Sequence, residues 1–390
     1  MNVGGKKLDA FELVTAVFAG HTDPIDLRRD WDADRKLGGR FDRILTGRDL
    51  KGHENRALSD LRSIDFLQAV SLVHTREQRH LAATTGNGNP PQISCKRDAI
   101  LALPLDRFRA LADKVEDGFR KAGRFLNENK ILWSKDLPYP AQIVALATVH
   151  AVLGPAADTH AAKDKLAQWF WRTALAEDYG TSPETKLARD AEEVPRWITG
   201  GAPPERLALL SFNPLRLDTL RNRIAAAYKA IGALVLREGC RDFVTGAPAD
   251  LYAFGADPMD IHHIFPRDWC RRHGISADRY DSIVNKTPLT ASSNRMIGGA
   301  APCDYLALVE GRQGLSAEAM DAVLRSHLID PALLRVSSPT VADFDRFYED
   351  RKARLATLAA RVTGLAVEVP SPEVQATEVE FDLDDVEEAA

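Results

Sequence analysis

The chain has 390 residues, enough for two or three domains, and its 45% hydrophobic and 27% charged content is that of an ordinary globular protein able to bury a sizeable core. No run of eighteen apolar residues occurs, and the start MNVGGKKLDAFELV lacks the basic-then-apolar profile of a signal peptide, so the expectation is a cytoplasmic protein with no membrane partner. The formal net charge of −5 hides an asymmetry: residues 366–390 carry nine acidic residues and no Lys or Arg, leaving 51 basic against 47 acidic residues, or +4, elsewhere. This balance permits nucleic-acid binding without arguing for it.

In chain order, Leu8, Phe11, Leu13, Val14 and Phe18 fall at helical spacing, with Asp9 near an N-terminal cap. From there to about residue 210 the pattern predicts mostly helix. LSDLRSIDFLQAVSLVHTREQRHLAA, LDRFRALADKVEDGFRKAGRFLNEN, PAQIVALATVHAVLG and HAAKDKLAQWFWRTALAE repeat apolar residues every three or four positions, and prolines punctuate them. Trp169, Phe170 and Trp171 could stack bases, yet at this spacing core packing is the simpler expectation. His150 and His160 lack an HExxH frame or an acidic partner at metal-site spacing.

One long helix is expected from about Leu215 to Arg237. It leads into GCRDFVTGAPADLYAFGADPMDIHHIFP and SIVNKTPLTASSNRMIGG, rich in Gly, Asp and Pro with short β-compatible runs, which read as a small α+β insert. After Ser316, AEAMDAVLRSHL and VADFDRFYEDRKARLATLAARV read as two further helices. The acidic end is aperiodic and is expected to be disordered. The fold class expected is therefore mainly α, a helical scaffold carrying a small α+β insert. The four cysteines, Cys95, Cys240, Cys270 and Cys303, form no Cys-x-x-Cys pair and are expected to be reduced and structural.

Chemistry concentrates in MDIHHIFPRDW, residues 259–269. Hydrolysing a phosphodiester needs a base for water, a divalent cation to neutralise charge, and a group that orients the base. His263 can be the base and His262 a metal ligand, while Asn285 and Asn294 offer oxygens or hydrogen bonds from a later strand and helix. On an ideal strand the two histidines point to opposite faces, an objection that a strand end entering the turn before Pro266 escapes. Thr290 or Ser292 could cap a short helix bearing Asn294 and Arg295. Arg271, Arg272 and His273 are further candidates for phosphate contacts.

DIHHIFP, NKTPLT and SSNRMIGG together resemble the HNH, or ββα-metal, nuclease motif. More narrowly, HHIFPRDW through the Asn-Arg pair to CDYL resembles the nuclease part of the GmrSD-type modification-dependent restriction endonucleases, and NVGGKKLDAFELVTAVF, WFWRTALAEDYG and FDRFYEDRKARLATLA resemble other parts of that family. The resemblance implies His263 as general base, His262 and Asn294 as metal ligands, Asn285 as the residue that steadies the base, and Arg295 as a phosphate contact. The chain departs from the wider HNH pattern in having His before the base and Asn as the last ligand, variants that resemble the GmrSD-type branch. Magnesium is the expected ion, with manganese and zinc as alternatives.

The implied organisation is the end of a ParB-like domain over residues 1–20, a helical domain over 21–212, the HNH domain over 213–312, helices over 313–365 and the acidic tail over 366–390. The family's ParB-like domain, with its Asp-Gly-Gln-Gln-Arg signature, has no counterpart here, nor does a Walker A sequence. A separate ParB-like NTPase subunit is therefore an expected partner beside DNA. The expected function is a metal-dependent DNA endonuclease in defence against foreign or modified DNA. The alternative is a non-catalytic DNA- or partner-binding subunit, or a truncated remnant.

Overall fold

Asp9 starts the first helix, α1 (Ala10–Ala19), through a capping box: Asp9 Oδ1 accepts from the Glu12 N–H (2.8 Å), and Glu12 Oε2 accepts from the Asp9 N–H (2.9 Å). The exchange satisfies two backbone donors that a helix start otherwise leaves unpaired. The computed structural model describes residues 8–32, 38–46, 55–86, 89–250 and 259–365. They are mainly helical, with 67% helix and 4% strand. Residues 1–7 and the acidic tail from residue 366 lie outside the described residues.

The described residues form two units. The first comprises the chain to Leu210 together with Arg223–Arg237; the second comprises Ser211–Asn222 and the chain from Glu238 onward.

In the first unit, α2 (Ser63–Thr85), α3 (Leu105–Glu128), α4 (Pro140–Leu153) and α5 (His160–Leu175) form where helical stretches were expected, α6 (Pro183–Ile198) lies in the region expected to be mostly helix, and α7 (Ala226–Arg237) is the end of the expected long helix. α3 packs along α4, α2 and α6 flank α4, and α7 lies on α5. The α3–α4 approach is close enough that a Cβ at Gly118 would stand 2.3 Å from the Ala147 carbonyl oxygen, so only glycine fits there. α4 is enclosed, with every residue from Gln142 to Ala151 buried. The stretch Pro140–Asp158 has the length and mean hydropathy (1.4) of a membrane span, but 61% of it is buried inside the protein, the pattern of a core helix.

Trp169, Phe170 and Trp171 are wholly buried, so all three serve packing and offer no face to a base. Arg40, itself buried, bonds Asp30 (2.9 Å), Asp113 (2.9 Å) and Glu116 (2.6 Å), so the guanidinium is paired rather than stranded. The cysteines are all free, three buried and Cys303 half-buried, as expected of structural thiols.

The second unit corrects one expectation. The stretch from Leu215 to Arg237 is not one helix: a single turn, Arg216–Thr219, ends before α7 begins at Ala226. Two carbonyls that a continuing helix would use are taken from far along the chain, Leu217 O by the Ser282 hydroxyl (2.8 Å) and Leu220 O by the Ile283 N–H (2.8 Å). These long-range bonds satisfy the acceptors that the helix ladder would have claimed.

Next come β1 (Met259–His263), α8 (Arg267–Arg272), β2 (Lys286–Thr290), α9 (Ala291–Ile297), α10 (Pro302–Gln313), α11 (Ala317–Ser326) and α12 (Val341–Thr363). β1 and β2 pair antiparallel, Met259 opposite Thr290 and His263 opposite Lys286. A two-stranded ribbon is marginal alone. Here, Phe265 after β1 is wholly buried against Phe344 and Phe347 of α12, at ring distances of 5.3 and 5.0 Å. Arg351 of α12, also wholly buried, donates to the carbonyls of Ile283 (3.3 Å), Val284 and Lys286 (2.8 Å), fixing the entry to β2.

Candidate functional site

The site is built on β1, β2 and α9. β1 remains regular through His263, so the strand alternation holds and the two imidazoles take opposite faces. His262 is buried at 2% exposure with its ring edge-on to Phe243 (5.9 Å) and Tyr305 (5.6 Å), while His263 is only partly buried. The turn before Pro266 does not bring them onto one face.

On the His262 face, Nδ1 stands 2.9 Å from Asn294 Oδ1, and Asn294 Nδ2 donates to Asp260 Oδ2 (2.9 Å). Asn294 is in place because Thr290 caps α9, its hydroxyl accepting from the Ser293 N–H (3.2 Å). Beneath the cap lies Asp242, wholly buried, which accepts from the Thr290 N–H (2.9 Å), the Ser293 hydroxyl (2.6 Å) and the Val244 and Thr245 N–H groups (both 3.0 Å). Burial acts to raise the Asp242 pKa, and these hydrogen bonds outweigh it and hold the carboxyl below its ordinary value. Burial pushes the His262 imidazole down to about 4 against the raising effect of Asn294, so it is neutral at neutral pH.

On the other face, His263 Nε2 meets Asp281 Oδ1 at 2.8 Å, and Arg267 Nε and Lys286 Nζ each stand 3.9 Å from the same oxygen. Burial lowers the His263 pKa and Asp281 opposes that, with Lys286 and Arg267 also lowering it; the net direction is down, and the ring is neutral at neutral pH. Holding Nε2–H on the carboxylate leaves the Nδ1 lone pair as the basic position.

Asn285 does not touch the His263 ring. It is wholly buried in the turn before β2, its Oδ1 accepting from the Phe265 N–H (2.9 Å) and its Nδ2 donating to the carbonyls of Phe265 (2.9 Å) and Tyr280 (3.0 Å). Its own carbonyl accepts from the Ile264 N–H (2.9 Å). Asn285 therefore clamps the chain leaving His263, and the group that meets the His263 ring is Asp281.

Arg295, Arg271 and Arg272 are exposed. Arg271 Nε reaches the Tyr280 hydroxyl at 3.4 Å, and Arg272, with His273, lines a shallow cavity of about 620 Å³ beside Trp269 and Asp304. Of the acidic residues the site uses, sequence reasoning passed over Asp260, Asp281 and Asp242. The two-residue period of a strand could have found Asp260, since it shares a face with His262; nothing local marks the other two.

Among the described residues no group of three or more His, Cys, Asp or Glu side chains could hold a metal. An ion at His262 and Asn294 would rest on one imidazole and one amide oxygen, with the Asp260 carboxylate beside them. The 2.9 Å between His262 Nδ1 and Asn294 Oδ1 is a hydrogen-bond distance, so an ion bound at Nδ1 would have to displace the proton held there. The pair offers two ligand atoms, short of the four that a closed zinc site needs, so any ion there would keep most of its water.

No family model matches the chain. An uncharacterized protein of Methanocaldococcus jannaschii is 28% identical over 210 residues, covering 48% of this chain and 35% of that protein. The chain thus spans about a third of the length of that curated relative, whose name carries no activity.

Proposed function

We propose that the chain is a metal-dependent endonuclease of the HNH type acting on DNA, similar to the nuclease part of the GmrSD-type enzymes. The observation that carries this reading is the strand–strand–helix arrangement, which sets His262 against Asn294 and places a neutral, carboxylate-backed His263 one residue further on.

In this reading His263 takes the proton of the attacking water on Nδ1 while Asp281 holds Nε2–H and stabilises the imidazolium that forms. The water oxygen bonds to phosphorus as the bond from phosphorus to the 3′ oxygen breaks. Magnesium, if held by His262 and Asn294, would supply positive charge to the phosphate and the departing oxygen, which requires the phosphate to reach both faces at the end of β1, since His263 lies on the other one. Asn285 keeps the His263 turn from shifting by tying Phe265 and Tyr280 together. Arg295, Arg271 and Arg272 offer cations to neighbouring phosphates, contacts that position the strand without reading its sequence.

The test is nicking of supercoiled plasmid, unmodified and cytosine-modified, with magnesium or manganese, by the wild-type chain and by His263→Ala. Metal-dependent nicking that disappears in the variant supports the reading. Cleavage that survives His263→Ala sinks it, and salt-sensitive DNA binding without cleavage in both proteins favours a non-catalytic binding subunit.

A further inference from the structure

Asp260 and His262 share one face of β1, and the Asn294 side chain spans the gap between them, with Nδ2 on Asp260 Oδ2 and Oδ1 on His262 Nδ1, both at 2.9 Å. An amide donates at one end and accepts at the other, whereas an ionised carboxylate only accepts. Turned round, Asn294 would set its oxygen against a carboxylate oxygen at hydrogen-bond distance, with no proton between them. Asp260 thus admits one of the two orientations, nitrogen to the carboxylate and oxygen to the imidazole. The imidazole meets that oxygen with a proton on Nδ1, which leaves its lone pair on Nε2, a buried atom with no hydrogen-bond partner.

We propose that Asp260 is a positioning residue that locks the Asn294 amide so that an oxygen, and not an NH2, faces His262. Two consequences follow. In the metal-free protein His262 is held as the Nδ1–H tautomer, and a divalent cation meets an amide oxygen where the flipped side chain would present two N–H hydrogens. The second consequence rests on the metal-site reading above; the first stands without it. Asp242 does a different job, because it anchors the backbone start of α9, and with the helix fixed the amide could still turn about its last bond.

The experiment uses the full chain with 15N-labelled histidine, the His262 signals being assigned by their loss in His262→Gln, together with Mn2+ titration followed by electron paramagnetic resonance. Metal-free wild-type protein is expected to carry the His262 proton on Nδ1. Asp260→Asn, which can meet either end of the Asn294 amide, is expected to give mixed tautomers and to weaken Mn2+ binding about tenfold; Asp260→Glu, still acceptor-only, keeps the wild-type tautomer. A His262 proton on Nε2 in the wild type overturns the proposal directly, as does an Asp260→Asn protein with both tautomer and Mn2+ affinity unchanged. If the tautomer responds but the wild type binds no Mn2+, the positioning role stands and the metal reading falls. If the wild type binds Mn2+ but the tautomer ignores residue 260, the reverse holds.

Discussion

The Nε2 atom of His263 stands 2.8 Å from Oδ1 of Asp281, a carboxylate on the far side of α8 in the chain. The pair fixes the ring and its tautomer, so the endonuclease reading gives Asp281 a role that a surface ion pair would not have. Asp281→Ala is expected to slow plasmid nicking about a hundredfold, the scale of a misplaced reacting group, while leaving DNA affinity in a gel-shift assay unchanged. An unaltered nicking rate would remove Asp281 from the site.

Asp242 accepts from four donors, two of which, the Thr290 N–H and the Ser293 hydroxyl, fix the start of α9, while the Val244 and Thr245 N–H groups fix its own turn. Replacing it with Ala strands those donors in the interior at a cost of about 3 kcal/mol or more. Thermal unfolding should show the loss. Because the folded-state pKa lies below the ordinary value, the stabilisation is present above the unfolded-state pKa and fades as pH falls through the folded one. The gap between wild type and Asp242→Ala should therefore narrow in strong acid.

His150 supplies a pH test in the first unit. Burial pushes its pKa from 6.5 to about 4, with Lys121, Arg124 and Lys163 opposing protonation and Asp158 favouring it, and neither ring nitrogen has a hydrogen-bond partner. Below pH 6.5 the unfolded chain takes up a proton that the folded one refuses, so stability drops from pH 6.5 down to about 4 and then levels. A shift of this size corresponds to about 3 kcal/mol. His150→Leu should lose little at pH 7 and should unfold at a progressively higher temperature than the wild type as the pH is lowered to 4.5. Parallel melting curves across that range would refute the assignment.

Gly118 faces the Ala147 carbonyl across the α3–α4 crossing. Gly118→Ala must push the helices apart, and overpacking of this kind costs about 1–3 kcal/mol. Although Ala is the better helix former, its melting temperature should fall; a rise would mean that the helices separate freely.

The helices were legible because a repeated apolar spacing is a local signal, and at Asp9 even the cap was. The strand pair was legible as short β-compatible runs. The break before α7 was not, since the bonds that end it come from Ser282 and Ile283, more than sixty residues away. The same reason hid Asp281 and Asp242, which reach their partners only after the chain has folded back. Asn285 was expected to steady a ring, but its three side-chain bonds go to backbone groups, a role that residue type and spacing do not distinguish from the expected one.

The order in which the chain visits its two units bears on how the protein can be taken apart. Ser211–Asn222 belongs with the strand segment, and Arg223–Arg237 returns to the helical unit before the chain crosses again at Glu238. A protease that cuts once between residues 210 and 238 cannot release two complete halves, and an expression clone starting at Glu238 would lack the partners of Ser282 and Ile283. The two units are interleaved in the gene, so neither can be lost, swapped or moved to another protein by a single recombination at that junction.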